Sequence, residues 1–141
     1  MATFNKFNAF VENLAEKVHN LGSDQLKIAL TNTAPTASNS VYADLTSPLS
    51  TTNLSGATPF NVTTSTSAQT SGTYKLVCAD LTLTATGAVG PFRYVVLYND
   101  TPTSPADPLI GYYDYGSSIS LANAETFTID FDGSNGVLTI A

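Results

Sequence analysis

A chain of 141 residues is long enough for one domain with a buried core of its own. Hydrophobic residues make up 43% of it and charged residues only 11%, against about a quarter in ordinary soluble domains, so neutral hydroxyls and amides are expected to cover the surface. The net charge of −6 lies late: after Arg93 no base follows, while Asp100, Asp107, Asp114, Glu125, Asp130 and Asp132 do, and such a surface repels phosphate and argues against direct binding of nucleic acid.

The long uncharged stretch between Leu45 and Lys75 is dominated by Ser, Thr and Asn, so no membrane-spanning segment is expected. Cys78 is the only cysteine, which leaves no intrachain disulfide to form. No basic segment followed by an apolar run opens the sequence, and the expectation is synthesis in a cytoplasm without a secretory leader.

The first element is a helix. Phe4, Phe7, Phe10, Val11, Leu14, Val18 and Leu21 follow at steps of three, four and one, which is one stripe of a 3.6-residue period over residues 4–21. Thr3 is the expected N-cap and Gly22 the expected residue past the C-terminus. A half-buried strand over residues 25–31 comes next, with Leu26, Ile28 and Leu30 on one side.

Residues 32–73 are rich in Ser, Thr, Asn, Pro and Gly. They predict long loops carrying one or two short strands, around Phe60 to Ser67. From residue 74 to 141 the strand signals become regular. YKLVCADLTLTA places Val77, Ala79, Leu81 and Leu83 on one face, and FRYVVLY (Phe92 to Tyr98) is apolar on nearly both, as in a central strand. After the proline-rich loop NDTPTSPADP come LIGYYDY, SISL, ETFTIDF and a closing VLTI, with DGSNG as a hairpin turn before it. The whole chain therefore predicts a single, mainly β domain over residues 1–141: an antiparallel β-sandwich or barrel with one N-terminal amphipathic α-helix.

Chemistry-bearing residues are few. His19 is the only histidine, has no companion ligand nearby, and reads as a helix-end or interface residue. Cys78 sits inside a strand pattern and reads as a small buried hydrophobe. DFDGSNG offers Asp130, Asp132 and Asn135 as oxygen donors but lacks the further ligands of a calcium loop. Tyr94, Tyr98, Tyr112, Tyr113 and Tyr115 suit either a sugar-binding surface or the packing of stacked strands, and the absence of Trp weakens the former. NLS, NVT and NDT match glycosylation acceptor patterns by chance in so Ser/Thr-rich a chain. Dinucleotide, phosphate-loop, metalloprotease and serine-hydrolase motifs are missing, so no catalytic, cofactor-binding or metal-binding residue is assigned and no enzyme activity is expected.

The opening FNKFNAFVENLAEKVHNLGSDQLKIALTNTAP resembles that of small virion proteins from tailed bacteriophages, as does the later FRYVVLYNDT with DPLIGYYDYGSSISLANAETFTIDFDGSNGVLTIA. Together these stretches cover about two thirds of the chain and leave the Ser/Thr-rich middle divergent. The resemblance implies a structural particle component, with capsid decoration (cement) favoured over a tail or neck role. It also implies the major capsid protein as partner, self-association with a trimer possible, and a place on the capsid exterior. A carbohydrate-binding or adhesion module is the alternative from another class. The exposed loops Ala34 to Ser40, Ser47 to Thr58 and Thr101 to Pro108 are the expected contact regions.

Overall fold

The computed structural model describes residues 2–141. Its elements in chain order are β1 (Phe4–Lys6), α1 (Asn8–Ala15), β2 (Leu26–Thr31), β3 (Asn61–Val62), β4 (Thr64–Thr70), β5 (Thr73–Cys78), β6 (Leu81–Thr84), β7 (Val89–Asn99), β8 (Leu109–Leu121), β9 (Thr126–Ile129) and β10 (Leu138–Ile140). All strand pairings are antiparallel. A five-stranded sheet has the order β1-β8-β7-β2-β3, a three-stranded sheet the order β10-β5-β4, and β6 pairs with β9 alone. The mainly β, antiparallel architecture with one helix near the N-terminus is as the sequence predicts.

Alternation along β2 sets the layering. Leu26, Ile28 and Leu30 face inward and meet Val95, Leu97 and Phe92 of β7, together with Leu76, Cys78, Leu83 and Ile129 from the two smaller sheets. Apolar side chains at every second position bury one face of each sheet against the other, which is the main stabilising term of a sandwich. The large sheet has a second, smaller core on its outer side. There Ala29, Val96, Tyr98 and Leu109 are covered by Phe7 and Leu45, with Tyr42 and Tyr112 packed on them. This is why FRYVVLY is apolar on both faces: β7 is central and covered twice.

The segment after β2 supplies that outer cover. Leu49 N–H donates to the Leu30 carbonyl (2.8 Å), Tyr42 N–H to Asp107 (2.9 Å) and Leu109 N–H to Ser40 (3.0 Å), so the loop lies along the sheet. Further on, β3 belongs to the large sheet and β4 to the three-stranded one, with only Thr63 between them. One run of chain thus joins both layers along one side. Ser71 and Gly72, both at positive φ (50° and 84°), then make the two-residue turn of the β4–β5 hairpin.

Six expectations require correction. The helix spans Asn8–Ala15, not 4–21, because Phe4–Lys6 pairs as β1 with Gly111–Tyr113 of β8. Its N-cap is Phe7 and not Thr3, and Lys17 (φ 68°), not Gly22, takes the left-handed position past its end. Val18 N–H donates to Asn13 (2.8 Å) and Lys17 N–H to Leu14 (3.4 Å), the paired bonds of a Schellman motif. Consequently the apolar stripe splits: Phe4 and Phe10 pack with the inner core, Phe7 enters the outer one, and Val11 is exposed.

YKLVCADLTLTA is two strands in different sheets, so its inward residues are Leu76, Cys78 and Leu83 and not Val77 and Ala79. LIGYYDY and SISL form one strand, β8, with Gly116 (φ 96°) inside it. DGSNG is not a hairpin turn, since β9 pairs with β6 while β10 pairs with β5, and the loop crosses between sheets.

Gly111 permits the β1 contact. A Cβ there would lie 2.3 Å from Phe4 Cζ and 2.8 Å from the Asn5 carbonyl oxygen, so only a hydrogen lets β1 close on β8. Gly111→Ala is expected to cost about 1–3 kcal/mol by overpacking, read from the urea midpoint, with amide exchange rising in Phe4–Lys6.

Candidate functional site

Three regions of the molecule bear on function, two of them built on residues singled out by the sequence. The first is a buried polar clasp where β7 ends beside the start of β2. His19 lies past the helix and is buried, not perched at a helix end. Asn99, fully buried, donates from Nδ2 to His19 Nδ1 (3.1 Å) and to Asp24 Oδ2 (2.7 Å), while its Oδ1 accepts from Thr101 N–H (3.1 Å). Asp24 Oδ2 also accepts the Asn20 N–H (2.8 Å). Because Asn99 donates to Nδ1, the ring is the neutral tautomer carrying its proton on Nε2, an atom that is buried and unpartnered. Burial lowers the His19 pKa and the nearby Asp24 carboxylate only partly offsets this. The ring also packs on Phe10, with centroids 5.2 Å apart. The bond to Asn99 ties the turn after α1 to the sheet, and the Phe10 contact ties it to the helix. The NDT pattern falls on this same fully buried Asn99, whose amide is consumed by the clasp.

The second region holds Cys78 and the acidic loop. Cys78 is buried in the inner core and burial pushes its thiol up to about 11, which disfavours the thiolate that a nucleophile requires. In the DFDGSNG loop Asp132 is committed internally. Its Oδ1 accepts from Ser134 and Asn135 N–H (2.9 and 2.8 Å) and its Oδ2 from the Asn135 amide (2.8 Å), and the Asn135 bonds hold its carboxyl below the usual range. Asp130 is exposed.

The tyrosines do not form one platform. Tyr94 and Tyr98 are buried, Tyr112 packs on the outer core, and Tyr113 sits between Phe4 and Phe131 with centroids 5.1 and 6.3 Å away. Burial pushes the Tyr113 hydroxyl up to about 12. Of the five only Tyr115 is mostly exposed. A cleft of about 340 Å³ on the outer face is lined by Tyr42, Tyr98, Lys27 and Asn61 beneath the Leu49 to Phe60 loop.

The third region was not foreseen from the sequence. On the side opposite the β3–β4 run the sandwich is open, because β1 and β10 are edge strands whose outer sides no strand joins among the described residues. A groove of about 410 Å³ lies between them, lined by Phe4 and Lys6 of β1, Phe10, Val11 and Leu14 on α1, and Leu138 to Ile140. A second groove of about 350 Å³ lies beside Ala2, bounded by Tyr113 and Tyr115 of β8 and by Phe127 to Asp130. The Phe4–Tyr113–Phe131 aromatic run lies where the two adjoin. Val11 (52% exposed), Tyr115 (56%) and Ile140 (41%) are the large apolar side chains left exposed among the described residues, and all three line this seam. The signal available in sequence was Val11, whose place in the stripe implied burial.

The fold and its sites define a small, lightly charged, antiparallel β-sandwich with one apolar open side. No family model, curated protein or solved structure matches the chain.

Proposed function

We propose that the chain is a non-enzymatic structural component of a tailed-phage particle that binds and stabilises the capsid shell as a decoration protein. The observation that carries this reading is the charge-free run between Leu45 and Lys75, which supplies exposed loops and the edge strand β4. Such a surface suits contact with a protein lattice through many neutral hydrogen bonds, with little dependence on salt. The resemblance of both ends of the sequence to small virion proteins supports the same reading, and the acidic later half favours the outside of a DNA-filled shell. His19 and Cys78 are occupied in packing and the clasp, which accords with a binding role. Burial across neighbouring capsid subunits, about 800 Å² per partner at a standard interface, would then resist internal pressure. Self-association belongs to the same reading.

Particles produced without the protein test it. They are expected to assemble with normal heads and tails and to burst earlier on heating. Heads without tails would move the protein to the neck or tail, and its absence from purified particles would overturn both. A carbohydrate-binding reading has one observation in its favour, the Tyr42–Tyr98 cleft with Lys27 and Asn61. Specific binding on a glycan array, abolished by Tyr42→Ala, would select it.

A further inference from the structure

We propose that the open seam is the interface of a two-fold homodimer, each copy laying its seam against the other's in opposite directions. Three observations carry this. First, exposed apolar side chains concentrate there, and a chain this polar elsewhere exposes such residues together where another surface covers them. Second, the outer edges of β1 and β10 carry backbone donors and acceptors with no neighbouring strand, and neither three-residue edge holds a proline or a bulge to block pairing.

Third, the charges are arranged self-complementarily. Lys6 lines the groove beside α1, and Lys17 lines the space adjoining it next to Leu14 and Ile140. Neither lysine is ion-paired among the described residues, whereas Lys27 binds Asp100 (3.0 Å), Arg93 binds Asp114 (2.7 Å) and Lys75 donates to the Ser134 carbonyl (2.8 Å). Glu12 and Glu16 line neither groove. The other end of the seam carries the exposed Asp130, with no lysine or arginine among the described residues that line it. A two-fold axis across the middle of the seam sets each lysine end opposite the partner's Asp130 end, so the match is made twice. A second copy satisfies both ends at once, which is why it is the occupant favoured here over an unrelated chain. The dimer stands independently of the capsid reading and differs from the trimer that the family resemblance leaves possible.

Sedimentation equilibrium of the full chain at micromolar concentration tests the proposal. The wild type is expected to be a dimer. Lys6→Glu and Asp130→Lys should each weaken it by about tenfold or more, because each change places two like-charged pairs at the interface. The double variant Lys6→Glu/Asp130→Lys should restore it, and Val11→Asp should give a monomer. Far-UV circular dichroism of each variant establishes that folding is intact, and the two charge variants lie on the surface, where folding tolerates them. A monomeric or trimeric wild type overturns the proposal, as does a dimer indifferent to all four variants. Single variants that weaken the dimer without rescue by the double one overturn the antiparallel arrangement.

Discussion

Replacing Phe7 by alanine is expected to destabilise the fold by about 3–5 kcal/mol, the largest single effect of those considered. Phe7 is fully buried and stands between β1 and α1, where it is the main side chain from the N-terminal segment to enter the outer core. Its ring packs on Tyr112 (centroids 5.4 Å), and its N–H donates to the Ile110 carbonyl (3.1 Å). Truncation leaves a cavity over Val96 and Leu109 at the middle of the large sheet, where β7 and β8 cannot collapse into it because each is held by its neighbours. Equilibrium urea unfolding measures the loss. Phe7→Leu, which keeps most of the volume, should recover more than half of it. A loss under about 1 kcal/mol for the alanine variant would show that the outer core is dispensable.

Asn99→Ala is the second large effect, roughly 2–3 kcal/mol, since it strips partners from a carboxylate, an imidazole and a backbone N–H together. The clasp also gives the protein a pH dependence whose direction is fixed. His19 titrates lower in the folded chain than its ordinary value of about 6.5. As pH falls below about 6.5 the unfolded chain therefore takes up a proton that the folded chain refuses, and stability drops until the lowered folded pKa is passed. Protonation at Nδ1 would set that N–H against the Asn99 amide donor, which already spends its second hydrogen on Asp24. Asp44, Asp114 and Asp132, whose carboxyls are held low by hydrogen bonds, lose their contributions only as pH falls through the carboxylate range, so the two windows are separate. Urea midpoints measured from pH 7.5 to 5 should fall in the wild type and stay flat in His19→Leu. An equal slope in both proteins would place the titration elsewhere.

Much of the architecture follows from short-range pattern. The alternation of Leu26, Ile28 and Leu30 places β2, and the double-sided apolar text of Phe92 to Tyr98 makes β7 central. The same evidence does not reach pairings between distant segments. Phe4 to Lys6 satisfies a helical stripe as well as a strand, and the choice is made by Tyr113 and by the space at Gly111, more than a hundred residues away. The termination of α1 at Lys17 was illegible for a similar reason: lysine in the left-handed conformation is uncommon, and tertiary contacts around His19 and Leu21 hold it there. Helical periodicity then counted Val11 as core when it borders an open seam. Of the sites, the burial of Cys78 was legible from its strand pattern, whereas His19, read as a helix-end or interface residue, is buried past the helix. The clasp partners were not legible, because Asp24 and Asn99 meet only once β2 and β7 pair.

The order of pairing in the large sheet has a kinetic consequence. β1 needs β8 and β2 needs β7, with only the two-residue β3 reaching β2 earlier, so the first third of the chain lacks its long strand partners until most of the polypeptide has left the ribosome. Contacts of such sequence separation make folding slow, since loop closure comes before any gain from the ladder. During that wait β2 is an apolar strand whose β7-facing edge is free, and the neutral segment that follows offers no charge repulsion against other nascent chains. Made in large amounts at once, the protein would be limited by how quickly its later half arrives to cover its earlier one.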